Sequence, residues 1–197
     1  MAFQVAQGES FTIRRKVFKL FGSAFHIYDA QNNIVGYCKQ KAFRLREDLR
    51  IFTDESCSAE LFRIGTQQIL DIGATYTVTR SVDSAVLGML KRKGMKSLIR
   101  DEWMILSPEG REIGLIQEDS GALAILRRVV ELTAALVPQK FNVIASDGTP
   151  VAQYRQHFNP FVFRLGVAYF AGGEQRVNQQ FVLAAACLIG AIEGRQK

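Results

Sequence analysis

What this chain lacks narrows it first. Its three cysteines, Cys38, Cys57 and Cys187, are an odd number with no C-x-x-C pair, so neither a disulfide framework nor a zinc knuckle organises the fold. Reducing surroundings fit that usage best. There is no G-x-S-x-G, no P-loop, no G-x-G-x-x-G and no H-E-x-x-H, which removes the common signatures of hydrolases, nucleotide enzymes and zinc proteases. Only two histidines occur, His26 and His157, both in strand-like or strand-flanking contexts where a structural role outweighs a catalytic one. Cys57, beside Glu55 and Ser56, would be a reactive thiol only with a base close by. The expectation is therefore a protein that is not an enzyme, with no catalytic residue, no metal and no cofactor.

Long apolar runs are also missing. The most apolar stretch, Phe181 to Ile192, holds 12 residues, against the ~20 a membrane-spanning helix requires. The amides Asn178, Gln179 and Gln180 close it on one side and Glu193 on the other. The first ten residues lack the basic start and apolar core of a secretory signal, so a cytoplasmic protein without a transmembrane span is expected, with peripheral membrane association left open. No low-complexity tract or composition shift marks a linker, and 197 residues suit one β-barrel-sized domain over 1–197.

What is present is a hairpin signature written four times: Phe25 to Gly36, Tyr76 to Gly88, Trp103 to Gly114 and Phe141 to Ala152. Each copy reads as an aromatic, an alternating run, turn residues, and an apolar pair closing on a small residue, the two-residue period of a half-buried hairpin. Leu49 to Asp54 and Ala59 to Ile64 continue the pattern, and Phe158 to Leu165 supplies another strand region. Gly121 to Lys140 changes period: Leu123, Leu126, Val130 and Val137 with Val129, Leu132, Thr133 and Leu136 form a one-sided helical face that Pro138 ends. This predicts a short amphipathic helix outside or across the end of a sheet. The run Phe181 to Ile192 is apolar on every face and rich in alanine, so it predicts a helix buried on all sides. The interior of a closed antiparallel barrel is the natural place for such a helix.

These features together resemble the tubby C-terminal-like superfamily, and within it the branch of LURP-one-related proteins and phospholipid scramblases. The resemblance is carried by Phe25 to Asp29, Val35 to Glu55, Ile69 to Ile72, Tyr76 to Val78, Trp103 to Ile105, Ile113 to Ser120 and the terminal apolar helix. It implies an all-β fold with a central helix: a closed antiparallel barrel of about 12 strands around the buried C-terminal helix. It also implies binding of membrane phosphoinositides, the property of the tubby branch. Scramblases are further characterised by an Asp-rich calcium segment before the last helix. Here Ala171 to Gln180 holds one carboxylate, Glu174, and no Asp, so calcium-dependent scrambling is not expected.

A net charge of +6 and a pI near 9.4 favour an anionic partner, with solubility alone as the plain alternative. Two basic segments are candidates. The first, Lys39, Lys41, Arg44 and Arg46, follows the first hairpin at the place where the resemblance implies headgroup recognition. A bulge or turn near Ala42 would bring all four cations to one face, where together they could meet a multiply charged headgroup. The second, Lys91, Arg92, Lys93, Lys96 and Arg100, surrounds Gly94 and reads as a loop that could meet a membrane surface. A solvated strand face and a solvated loop are the structural alternatives. Anionic phospholipid headgroups rank first as partner and other proteins second. Nucleic acid ranks third, because only Phe43 interleaves with the basic residues and no reading motif is present.

Overall fold

The computed structural model describes residues 4–16, 23–40, 48–66, 74–93, 102–119, 139–159 and 162–193. Twelve strands carry the chain. In order they are β1 (Phe11–Lys16), β2 (Ser23–Asp29), β3 (Ile34–Gln40), β4 (Asp48–Phe52), β5 (Glu60–Gly65), β6 (Thr75–Arg80), β7 (Val86–Arg92), β8 (Glu102–Leu106), β9 (Glu112–Glu118), β10 (Lys140–Ala145), β11 (Pro150–His157) and β12 (Val162–Tyr169). A helix, α1 (Gln179–Glu193), follows. Every strand pairs antiparallel with its neighbours in sequence, and β1 closes on β12. The closed barrel and the single C-terminal helix match the fold expected from the sequence. The amphipathic helix expected from Gly121 to its end at Pro138 lies outside the described residues.

The repeated signature corresponds to five hairpins built alike. Each turn contains one residue with positive φ: Asn32 (66°), Cys57 (56°), Ser84 (57°), Gly110 (84°) and Gly148 (85°). Each hairpin also shifts register by a bulge beside its turn, as between Ile27 and Tyr28 or between Val143 and Ile144. A tight turn followed by a left-handed residue requires such a bulge. Asn, Gly and Ser tolerate that conformation because their side chains are small or bond locally. The fifth hairpin, β4 to β5, uses Cys57 there and so escapes a search for glycine or asparagine.

Alternate strand residues point inward, and most of these are apolar. Ile13, Phe25, Ile27, Leu49, Ile64 and Tyr76 all lie within 1% exposure, and their counterparts on the other strands are equally covered. A ring of twelve strands is too wide for its own side chains to fill. Helix α1 occupies the remaining space, packed against β12, β7, β1, β5 and β6, with Val182, Ala184 to Leu188 and Ala191 fully buried. Small alanines let a helix cylinder ~10 Å wide pass along the axis. Asn178 caps the helix, its Oδ1 accepting from the Gln180 and Phe181 N–H groups at 2.8 and 3.1 Å. From the wall, the Tyr154 hydroxyl donates to the Val182 carbonyl at 2.7 Å and that of Tyr169 to the Gln179 carbonyl at 2.9 Å. Burial pushes both phenol pKa values up. Cys38 on β3 and Cys187 on α1 are buried side by side, and burial, then their mutual hydrogen bond, raises the Cys38 thiol. Among the described residues no helix is long and apolar enough to cross a membrane.

Candidate functional site

Antiparallel order gives the barrel two unlike ends. All five hairpin turns and the entry to α1 lie at one, the turn end; at the other, the strands lead into the connections between hairpins. The helix runs from the first to the second, since Asn178 follows β12 at the turn end and Gly190 stands beside Phe163 at the start of β12.

Charge divides along the same axis. At the turn end, or in the strand halves leading to it, stand the carboxylates Asp29, Asp54, Glu55, Glu60, Asp83, Glu109, Glu112, Asp147 and Glu174, while Glu9, which precedes β1 there, extends its carboxylate to His157 in the other half. Only three basic residues, Arg80, Arg111 and Arg176, share that half among the described residues. Arg50 sits at the middle of β4. The opposite half holds Arg14, Arg15 and Lys16 on β1, Lys39 on β3, Arg63 on β5, and Lys91, Arg92 and Lys93 at the end of β7. Lys140 on β10, Arg155 on β11 and Arg164 on β12 complete it. The described carboxylates in that half are Asp48, Glu102, Glu118 and Asp119, with Glu9 reaching it through His157.

Two of the cations point inward. Arg15 has the parity of buried Ile13, and its guanidinium lies over the rings of Phe25 and Phe163, 5.4 and 5.7 Å from their centroids. Arg92 has the parity of Leu90, stands opposite Trp103 in the register, and lies 5.5 Å from the centroid of that indole. Helix α1 has no basic residue in its last turn. The two wall arginines bring positive charge to the end where its carbonyl dipoles leave partial negative charge, and their ring contacts are favourable cation–π arrangements.

The outer cations differ in how far they are satisfied. Arg50 binds Asp48 at 3.3 Å and Glu60 at 3.1 Å, and the bond to Asp48 chiefly raises its pKa. Arg63 reaches Asp48 at 3.5 Å, and Lys93 is tied to Glu102 at 2.5 Å, which raises the lysine pKa. Lys39, Lys91, Lys140 and Arg155 are exposed and make no ion pair among the described residues. Several of these residues face a like charge directly across the ladder: Lys39 opposite Arg50, Lys140 opposite Arg155, and Arg14 opposite Arg164. Such opposition destabilises a sheet by a few tenths of a kcal/mol to ~1 kcal/mol per pair.

The first predicted basic segment is thus described only in part. Lys39 lies on the outer face at the basic end, while Lys41, Arg44 and Arg46 lie outside the described residues. The second segment is not one loop. Lys91 and Arg92 are the last residues of β7 and follow strand alternation, one outward and one inward, because the ladder with β8 continues through Arg92. Lys93 is neutralised by Glu102; Lys96 and Arg100 lie outside the described residues. Arg63, Lys140, Arg155 and Arg164 are each isolated in sequence and so do not read as a cluster, and the run Arg14-Arg15-Lys16 lies outside both candidate segments. Distance from the nearest turn would have found them.

The two histidines are engaged by carboxylates, His26 Nε2 with Glu55 and His157 Nε2 with Glu9, both at 2.5 Å. Cys57 directs its Sγ to the Glu55 carbonyl at 3.5 Å. Among the described residues no three His, Cys, Asp or Glu side chains converge as metal ligands would. Comparison with protein-family models matches residues 9–190 to the family described as LURP-one-related. Among curated proteins, none matches this chain.

Proposed function

Because the chain belongs to the LURP-one-related family of the tubby-like superfamily, we propose that it is a non-enzymatic binding domain whose basic end recognises anionic phospholipid headgroups, phosphoinositides included, at a membrane surface. The observation that carries this reading is the set of exposed, unpaired cations Lys39, Lys91, Lys140 and Arg155 at one end of the barrel. Exposed cations without partners keep their full charge for an external anion, and each basic residue near an anionic leaflet contributes ~1 kcal/mol. Helix α1 has 15 residues and is enclosed by the wall, so it supports a surface role and not a scramblase-like path through a bilayer.

The test is sedimentation with phosphatidylcholine vesicles with and without phosphatidylinositol bisphosphate. Binding should require the anionic lipid, fall with added salt as screening shortens, and weaken in Lys39→Ala with Lys41→Ala. Equal sedimentation with neutral and anionic vesicles would reject the reading.

A second reading, a protein-interaction scaffold, draws on the turn end. There Val82 is 85% exposed, with Ile34 and Phe170 also open to solvent, and exposed apolar side chains beside carboxylates suit a basic protein surface. Saturation of the vesicle assay with no loss in the lysine variants would favour it.

A further inference from the structure

We propose, building on the lipid-surface reading, that the barrel docks end-on: the rim at the basic end lies flat against an anionic bilayer, with the axis of α1 along the surface normal and the turn end directed away. The unpaired cations do not share one wall. Lys39 is on β3, Lys91 on β7, and Lys140 with Arg155 on β10 and β11. In the closed order of strands, β3 and β7 are four places apart, β7 and β10 three, and β11 and β3 four again through the β12–β1 closure. The rim therefore carries positive charge in each third of its circumference. With neighbouring strands ~4.8 Å apart, the three groups are separated by roughly 14 to 19 Å along the wall. A single headgroup seated on one wall meets one group; only a plane laid across the mouth meets all three.

The dipole of α1 does not account for this collar. It acts over its last turn, and Arg15 and Arg92, stacked on inward-facing rings, already stand there. The outward cations are separated from the helix by the wall and immersed in solvent that screens them. The carboxylates of the turn end oppose approach of that end to anionic lipid, so the molecule's own field orients it. Phe158 is consistent with the same pose. It is 53% exposed in the β11–β12 connection at the basic end, and an aromatic ring at a basic rim suits the headgroup layer.

The experiment uses the full chain and vesicles of phosphatidylcholine with phosphatidylserine at low salt. Three charge reversals, Lys39→Glu, Lys91→Glu and Lys140→Glu, sample one third of the rim each. Each should lower partitioning by at least about fivefold, and by similar factors. In parallel, a fluorophore is placed either on native Cys57 at the turn end or on Phe158→Cys in a Cys57→Ser background. A bilayer-borne nitroxide should quench the second and spare the first. Loss of binding in only one of the three reversals, or equal quenching at the two positions, would overturn end-on docking while leaving lipid binding intact. Failure of the unaltered protein to sediment with these vesicles would instead remove the lipid reading itself, and the docking pose with it.

Discussion

The two ends of this barrel carry opposite charge for different reasons. At the turn end the carboxylates satisfy the chain locally. Asp29 accepts from the Gln31 and Asn33 N–H groups, Asp54 from Ser56, Asp83 from Ala85 and Asp147 from Thr149. An Asp at a tight turn bonds the backbone two residues on and so fixes the hairpin. Local hydrogen-bond donors lower all four pKa values, that of Asp83 to about 2, chiefly through the Arg80 guanidinium. At the basic end, among the described residues, pairs such as Lys140 and Arg155 oppose each other across the ladder. One end's charges serve folding. At the other end the opposed pairs weaken the fold slightly, while Arg50, Arg63 and Lys93 are held by carboxylates.

The comparison presumes a filled barrel that holds both ends in place, and the largest effect should come from emptying it. Ala185, fully buried in α1, replaced by Asp would bury an unpaired charge at a cost of several kcal/mol. Ala185→Asp should show no cooperative thermal transition by circular dichroism and should lose vesicle binding. A cooperative, native-like melt would break the shared-core premise.

Next in size is a contrast between two glycines of positive φ. Gly88 (φ 153°) lies where an added Cβ would stand 2.9 Å from both the Leu106 carbonyl oxygen and the Phe181 ring; Gly148 (φ 85°) would meet nothing within 4 Å. Gly88→Ala should cost ~3 kcal/mol, strain and overpacking together. Gly148→Ala should cost ~1 kcal/mol from backbone conformation alone. Urea denaturation separates them, and equal losses would show that crowding by the helix is irrelevant.

Acid sharpens the contrast between the ends. A carboxylate whose folded pKa is depressed adds stability that is complete above its ordinary value, 3.8 for Asp, and is lost as pH falls through the lowered one. The melting temperature should be level above about pH 5 and decline between about pH 4 and 2. Asp83→Asn should flatten the lowest part of that decline, because Asp83 titrates near 2. An unchanged profile would mean that the turn carboxylates do not carry it.

The smallest effect has the more telling sign. Lys140→Glu replaces a like-charge opposition to Arg155 with an attractive one and should raise stability by a few tenths of a kcal/mol. The same change should weaken vesicle binding. A loss of stability would show that Lys140 is a structural residue.

The hairpins were legible because each is written within about twelve residues: alternation, turn chemistry and a small closing residue all act locally. The central helix was legible for the opposite reason, since a 12-residue run apolar on every face has no polar side to turn to solvent. Polarity of charge was not legible as clusters. Lys140 and Arg155 are fifteen positions apart in sequence and opposite in the register, and only strand direction brings them to one end. Reading Lys91 to Lys93 as a loop failed because a basic run beside glycine looks solvated. Strand alternation persists through it and turns Arg92 onto Trp103.

The order of assembly follows from the closure of β1 on β12 with α1 inside. During synthesis the hairpins emerge one after another, each able to form from its own short loop. The seam needs partners some 150 positions apart, Phe11 against Val167, and the filler of the interior comes after every strand that must enclose it. Until then the inward faces have nothing to bury against, and the growing sheet has two open edges. Long-range closure of this kind is slow, and unpaired edges invite association in the interval. The helix entered from the turn end thus acts as a timer as well as a core: the chain commits to its fold only when its last element arrives.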